Sequence, residues 1–181
     1  MFKLEEINKE NVQVCFNTEY ILIDDFVDNN TLTESQLYFN KHKEVIGDNT
    51  NHIALNNHPL MNMLREESSY TNLLNRVNDV WDKNCTNFQL CVNLMQAEHT
   101  LPVHEDNFWS DVPVRGILYL NGVYGTHFHE FEESGSIREL GGKPGQLLLF
   151  KTDSLGWHSA GLFKTTNEER SIISIMFSMG T

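Results

Sequence analysis

Apolar residues fall at helical spacing in the first half of the chain and in short strand-like runs in the second, with the change near Asn84. Glu19-Tyr20-Ile21-Leu22-Ile23-Asp24-Asp25-Phe26 is an early exception, a brief apolar run closed by acids that predicts a strand. Thr33-Glu34-Ser35-Gln36 has capping-box spacing and predicts a helix running to Val45 and stopped by Gly47. The Asn-rich stretch 48–57 reads as a loop. From Pro59, the apolar positions Leu60, Met63, Leu64, Leu73, Leu74, Val77, Val80 and Trp81 step mainly by threes and fours. That spacing predicts one long helix or two shorter ones.

Beyond Asn84 the apolar runs are 88–95, 114–120, 146–150 and 171–177, all but 146–150 containing β-branched residues, and turn chemistry separates them. Asn121-Gly122, Gly125 and Gly141-Gly142-Lys143-Pro144-Gly145 supply the turns. Helices followed by antiparallel strands predict a single α+β domain over 1–181 with a mainly β core. Helical support is expected at roughly 30–84 and a β sandwich or open barrel at roughly 85–178.

Composition narrows the partners. The 181 residues carry 13 basic and 25 acidic side chains, a net charge of −12. Such a field repels polyanions, and no Lys/Arg cluster overrides it, so nucleic acid is disfavoured. A small dianion would meet the same field and needs a local cation. The N-terminus has no signal-peptide core and no run is long enough to span a membrane, which predicts a soluble, intracellular, cytoplasmic protein. Cys15, Cys85 and Cys91 lack CxxC spacing and read as reduced thiols.

The chemistry concentrates in His104-Glu105-Asp106, His158 and Arg170. In an extended chain alternate side chains share a face, so His104 and Asp106 reach one ion while Glu105 points away. His42-Lys43-Glu44 offers similar groups, but it falls in a predicted helix, where residues two apart diverge. Two imidazoles and a carboxylate make a facial metal set with open positions. Arg170 opens the last predicted strand, where Arg170, Ile172, Ser174 and Met176 share a face, so Ser174 can second the guanidinium in holding a carboxylate. A rival set, His127-Phe128-His129 with Glu133, resembles the first motif of cupins; it implies a metal-binding barrel or a non-catalytic binding module. His52, His58 and His99 are assigned no role.

The second half resembles the Fe(II)/2-oxoglutarate-dependent dioxygenase superfamily, nearest its prolyl-4-hydroxylase-like branch. The matching residues are His104-Glu105-Asp106-Asn107, Gly116-Ile117-Leu118-Tyr119-Leu120-Asn121, Gly125-Thr126, Pro144-Gly145-Gln146-Leu147-Leu148-Leu149-Phe150, His158 and Arg170. The resemblance implies a double-stranded β-helix, a relative of the jelly roll. It implies Fe(II) on His104, Asp106 and His158, with 2-oxoglutarate and O2 as co-substrates and ascorbate as an accessory reductant. It also implies that Arg170 pairs with the distal carboxylate of 2-oxoglutarate, with Tyr119 and Ser174 as hydrogen-bond donors. The expected reaction is hydroxylation of an unactivated C–H bond, with release of succinate and CO2. The leading substrate class is an amino-acid side chain, free or within a protein, ahead of a small metabolite. The chain departs from the branch in having Arg170 where many members have Lys, and Ile172 where an Arg-x-Ser pairing would put Ser.

Overall fold

The computed structural model describes residues 2–46, 58–95, 100–106, 111–152, 156–163 and 169–180, with side chains of the first segment given as far as His42. In chain order its elements are β1 (Gln13–Cys15), β2 (Thr18–Ile23), α1 (Asn29–Ile46), α2 (Pro59–Arg65), α3 (Glu67–Trp81), β3 (Cys85–Met95) and β4 (Leu101–His104). There follow β5 (Val114–Tyr119), β6 (Thr126–His129), β7 (Ile137–Leu140), β8 (Leu147–Lys151), β9 (His158–Ala160) and β10 (Arg170–Met179). A major sheet has the order β1-β2-β8-β5-β10-β3 and a minor sheet the order β4-β9-β6-β7, with antiparallel pairing throughout. No helix among the described residues is long and apolar enough to cross a membrane.

Strand alternation divides the major sheet into two working faces. Ile173, Ile175 and Phe177 of β10 belong to the same buried cluster as Leu60, Met61 and Leu64 of α2 and Leu73, Val77, Val80 and Trp81 of α3. Full burial of a side chain of this kind contributes roughly 2 kcal/mol, so the helices stabilise the outer face of the sheet. The intervening residues point the other way. Tyr119, Leu148, Phe150 and Ile172 of the major sheet meet Phe128 and Leu140 of the minor sheet in a second, smaller cluster between the sheets. Helices, major sheet and minor sheet thus form three layers, and the site lies between the last two.

Several sequence expectations shift in detail. Helix α1 starts earlier than the capping-box spacing predicts: Asp28 Oδ1 accepts from Thr31 N at 3.0 Å, while the Thr33 hydroxyl donates back to Asn29 O. A carboxylate just ahead of the helix satisfies a free N–H better than a hydroxyl already inside the first turns. The apolar stretch after Pro59 forms two helices, because Glu66 takes an extended ψ of 133° between them. β1 and β2 join β8 in the major sheet, so the β core recruits the N-terminal strand as well. The turn-rich stretch 122–145 carries β6 and β7 of the minor sheet. Gly47, the loop 48–57 and the aromatic segment Asn107-Phe108-Trp109-Ser110 lie outside the described residues.

His58 is fully buried at the start of α2, edge-on to Tyr38, with neither ring nitrogen hydrogen-bonded. Burial pushes its pKa down to about 4, and outweighs the opposing effect of the nearby Ser35 backbone. Unfolded, the same imidazole takes up a proton below about 6.5. The folded state therefore binds fewer protons in this window, and stability that is full above pH 6.5 declines as the pH falls toward 4. We expect His58→Leu to remove about 3 kcal/mol of the stability difference between pH 7 and pH 4. Urea unfolding of both proteins at the two pH values checks this, and parallel pH profiles would refute it.

Candidate metal centre

The centre is built where two short strands of the minor sheet meet. β4 pairs with β9 so that His104 stands directly opposite His158, and their rings lie 4.3 Å apart. His104 Nδ1 contacts Pro102 O at 2.8 Å and His158 Nδ1 contacts Gly156 O at 2.9 Å. A carbonyl can only accept, so each Nδ1 carries a proton, and each Nε2 faces Asp106 as the nitrogen that offers a lone pair once deprotonated. Asp106 follows β4 in a bend, with its carboxylate 3.6 Å from His104 Nε2 and 3.3 Å from His158 Nε2. One ligand atom from each residue lies within 4.8 Å of the others, and this is the single such group among the described residues.

The electrostatics fit a cation. Burial raises the Asp106 carboxyl, but His158, Arg115 and His104 together more than offset this and hold it below the usual range, so it is ionised. Burial and the neighbouring His158 push His104 down, which keeps its imidazole neutral. Asp106 Oδ2 is nonetheless a buried oxygen with no aligned hydrogen-bond donor. An ionised oxygen left in that state is costly. Two lone-pair nitrogens and an ionised carboxylate facing one point are a donor set for a divalent ion, with carbonyls fixing both rings from behind.

Arg170 lies in the same cavity, a space of about 510 Å³ bordered by all three ligand residues. It is 4% exposed and lies 5.4 Å from the ring centroids of both Tyr119 and Tyr124. Its Nε donates to Tyr124 O at 3.4 Å and an Nη to Thr126 Oγ1 at 3.1 Å, but no carboxylate among the described residues pairs with it. Ser174 is buried on the cavity wall. Tyr119 differs from expectation. Its hydroxyl lies 2.8 Å from Thr126 Oγ1 and donates to Leu140 O at 3.2 Å, and the residue does not border the cavity. A consistent chain runs from Arg170 to Thr126 to Tyr119 to Leu140, so Tyr119 backs the guanidinium and Thr126 takes the cavity position. Gly141 (φ +75°) packs on the Tyr119 ring where any Cβ would collide, and so closes this support from behind.

The rival set does not assemble. Phe128 turns inward toward Phe150 and His158, which puts His127 and His129 on the opposite face of β6, away from the cavity. There His129 Nε2 contacts Ser159 Oγ at 2.8 Å, and Phe163 lies against both rings. Glu133 is exposed, and the three form no metal-ligand group. Strand alternation does place both histidines on one face as expected; the inter-sheet core decides that it is the outer one. His42 is likewise committed elsewhere, stacked on Tyr38 with Nδ1 2.7 Å from Tyr38 O.

One residue at the centre escaped the sequence reading. Arg115 of β5 places Nε 2.9 Å from Asp106 Oδ2, off the axis of an aligned hydrogen bond. Its signal was a lone charge on an otherwise apolar strand, but nothing local says that its face meets a carboxylate.

No family model and no curated protein matches the sequence. Solved structures do resemble its fold. A prolyl-4-hydroxylase from Pseudomonas putida superimposes with a TM-score of 0.66 and 14% identity, over 90% of this chain and 88% of that one. A prolyl hydroxylase in complex with a hypoxia inducible factor oxygen degradation domain peptide fragment, from Trichoplax adhaerens, gives 0.69 and 15% over 88% and 83%. The alpha ketoglutarate dependent epimerase SnoN of nogalamycin biosynthesis gives 0.66 and 13% over 90% and 78%. The fold is therefore the prolyl-4-hydroxylase-like double-stranded β-helix.

Metal titration tests the donor set directly. Co(II), monitored by its visible d–d bands, is expected to bind with one-to-one stoichiometry. Asp106→Ala or His158→Ala should weaken binding by about 100-fold or more, while His127→Ala leaves it unchanged. Loss of binding in His127→Ala with retention in Asp106→Ala would transfer the centre to the other face.

Proposed function

We propose that this protein is an Fe(II)- and 2-oxoglutarate-dependent oxygenase that hydroxylates an unactivated C–H bond, with release of succinate and CO2. The substrate class we favour is an amino-acid side chain, free or within a protein. One observation carries the reading: a buried facial donor set shares its cavity with a guanidinium that has no carboxylate partner of its own among the described residues. Structural metal sites are closed by four protein ligands, whereas three ligands beside an anion receptor leave positions for a chelating acid. The crystallised SnoN complex with Fe3+ and alpha ketoglutarate shows that this fold accommodates such a pair in a neighbour.

His104, Asp106 and His158 would hold Fe(II), which together with the keto-acid supplies the O2-activating chemistry when bound. The chain's own part is orientation. Tyr119 and Tyr124 flank the Arg170 guanidinium, and Thr126 fixes one of its nitrogens. An anchored plane presents its remaining N–H groups in the fork that a carboxylate matches. Ser174, on the same face of β10, lines the cavity with a hydroxyl that would donate to the same carboxylate. Ile117, Phe150 and Ile172 on the wall exclude water, which strengthens every charge interaction inside. Ascorbate would serve to restore Fe(II) between cycles rather than occupy this pocket.

Mixing protein, Fe(II) and 2-oxoglutarate without oxygen is expected to give a weak visible metal-to-ligand charge-transfer band. Arg170→Ala should raise the 2-oxoglutarate concentration for half-formation by about 100-fold, as expected for loss of a buried charge pair worth roughly 3 kcal/mol. On admitting O2, wild type should form succinate, and candidate amino acids and peptides can be screened for a mass gain of one oxygen. Absence of the band, or succinate formation indifferent to Arg170→Ala, would defeat the proposal.

A further inference from the structure

The cavity has two cations, and the proposed chemistry uses one. Arg115 and Arg170 both border it, yet they sit at opposite ends of its wall. Arg115 on β5 pairs across to Met176 on β10, six residues beyond Arg170. Six residues of strand put the two backbones roughly 20 Å apart, and the Arg115 side chain reaches Asp106 rather than Arg170. A co-substrate whose distal carboxylate is held at Arg170 leaves the two terminal nitrogens of Arg115 to something else.

Charge balance points the same way. Among the described residues that border the cavity, the arginine and carboxylate side chains are Arg115, Arg170 and Asp106. Two guanidiniums against one carboxylate leave one positive charge in excess. A divalent ion and a dianionic keto-acid cancel each other, so loading the proposed site does not remove that excess. An uncompensated charge in a partly enclosed cavity is costly, and a monoanion is the ligand that relieves it.

Asp106 does not exhaust Arg115. It meets only Nε, off axis, and the two terminal nitrogens of Arg115 bond to no described residue although the side chain is 15% exposed. Deeper along the same face lies Asn93, opposite Ile172 on β3, with its side-chain oxygen buried and without a donor. Between them the wall is apolar or weakly polar: Cys91, Ile117 and Met176.

We propose that Arg115 is a substrate-binding residue, and that the substrate is a small carboxylate whose anionic group it receives beside the metal centre. An apolar stem would lie against Ile117 and Met176, with a hydrogen-bond donor of the substrate reaching the Asn93 oxygen. This narrows the proposed substrate to molecules with a free carboxylate, such as an acyl amino acid or a chain terminus, and disfavours a residue in the middle of a peptide. The inference rests on the oxygenase reading above.

The test uses anaerobic protein loaded with Fe(II) and 2-oxoglutarate, titrated with N-acetyl-leucine and, separately, with its carboxamide; hexanoate and hexanamide form a smaller matched pair. Perturbation of the charge-transfer band and calorimetry report affinity without turnover. In wild type we expect the carboxylate of at least one pair to bind 10-fold or more tightly than its amide. Arg115→Gln should bring that ratio within 2-fold, and Arg115→Lys should preserve a preference of at least 3-fold. A band that never forms before probe is added refutes the oxygenase reading and this inference with it. A normal band with equal or absent response to both members of each pair leaves the oxygenase reading intact and overturns this one. So does a carboxylate preference that survives Arg115→Gln, which would place the anion on the metal or on Arg170. Should Arg115→Gln fail to form the band, the lysine variant decides, and loss of preference there despite the retained charge overturns the inference.

Discussion

Pairing of β4 with β9 is the contact on which the centre depends. β4 is the edge strand of the minor sheet, four residues long and largely solvent-facing, with β9 as its one partner in that sheet. Its register nonetheless sets His104 opposite His158, and the bend after it returns Asp106 to the same point. A shift by one residue would turn His104 to the other face. So short a pairing has little intrinsic strength, and an ion gripped by all three side chains would cross-link the edge to the interior of the sheet. Metal binding and local order are expected to be thermodynamically coupled here, because whatever binds only the formed site stabilises it.

The major sheet supplies the opposite wall by a division of labour along each strand. On β10, Ile173, Ile175 and Phe177 bury against the helices, while Arg170, Ile172, Ser174 and Met176 border the cavity. Helical packing thereby stabilises the strand without using any of its functional face. This division also bears the cost of holding guanidiniums in a low-dielectric space. Two aromatic rings, a backbone carbonyl and the Thr126 hydroxyl replace water around the Arg170 guanidinium there. The arrangement is rigid because Tyr119, the deepest member, is fully buried and its hydroxyl bonds in two directions.

Arg115 adds a second role to the same logic. A cation against Asp106 withdraws electron density from one carboxylate oxygen, and its free nitrogens face the cavity. The metal carboxylate and the proposed substrate anion thus share one guanidinium. Substrate would then be sensed at the metal through Asp106, by a contact made of a single side chain.

Local chemistry in the sequence determined a good deal. Short apolar runs between turn residues marked β3, β5, β8 and β10 within a few residues, period-three-and-four spacing marked α2 and α3, and an H-x-D in an extended stretch singled out His104 and Asp106. Each of these rests on neighbours a few positions apart, and the backbone repeat alone fixes which side chains share a face. What the sequence left open depended on which face met which. Whether His127 and His129 or His104 and His158 point inward was settled by Phe128 inserting against Phe150, a contact between different sheets. The displacement of Tyr119 behind Thr126, and the approach of Arg115 to Asp106, likewise came from strands brought together across the cavity. Periodicity assigns residues to faces, but only the packing of two layers decides which faces enclose a site.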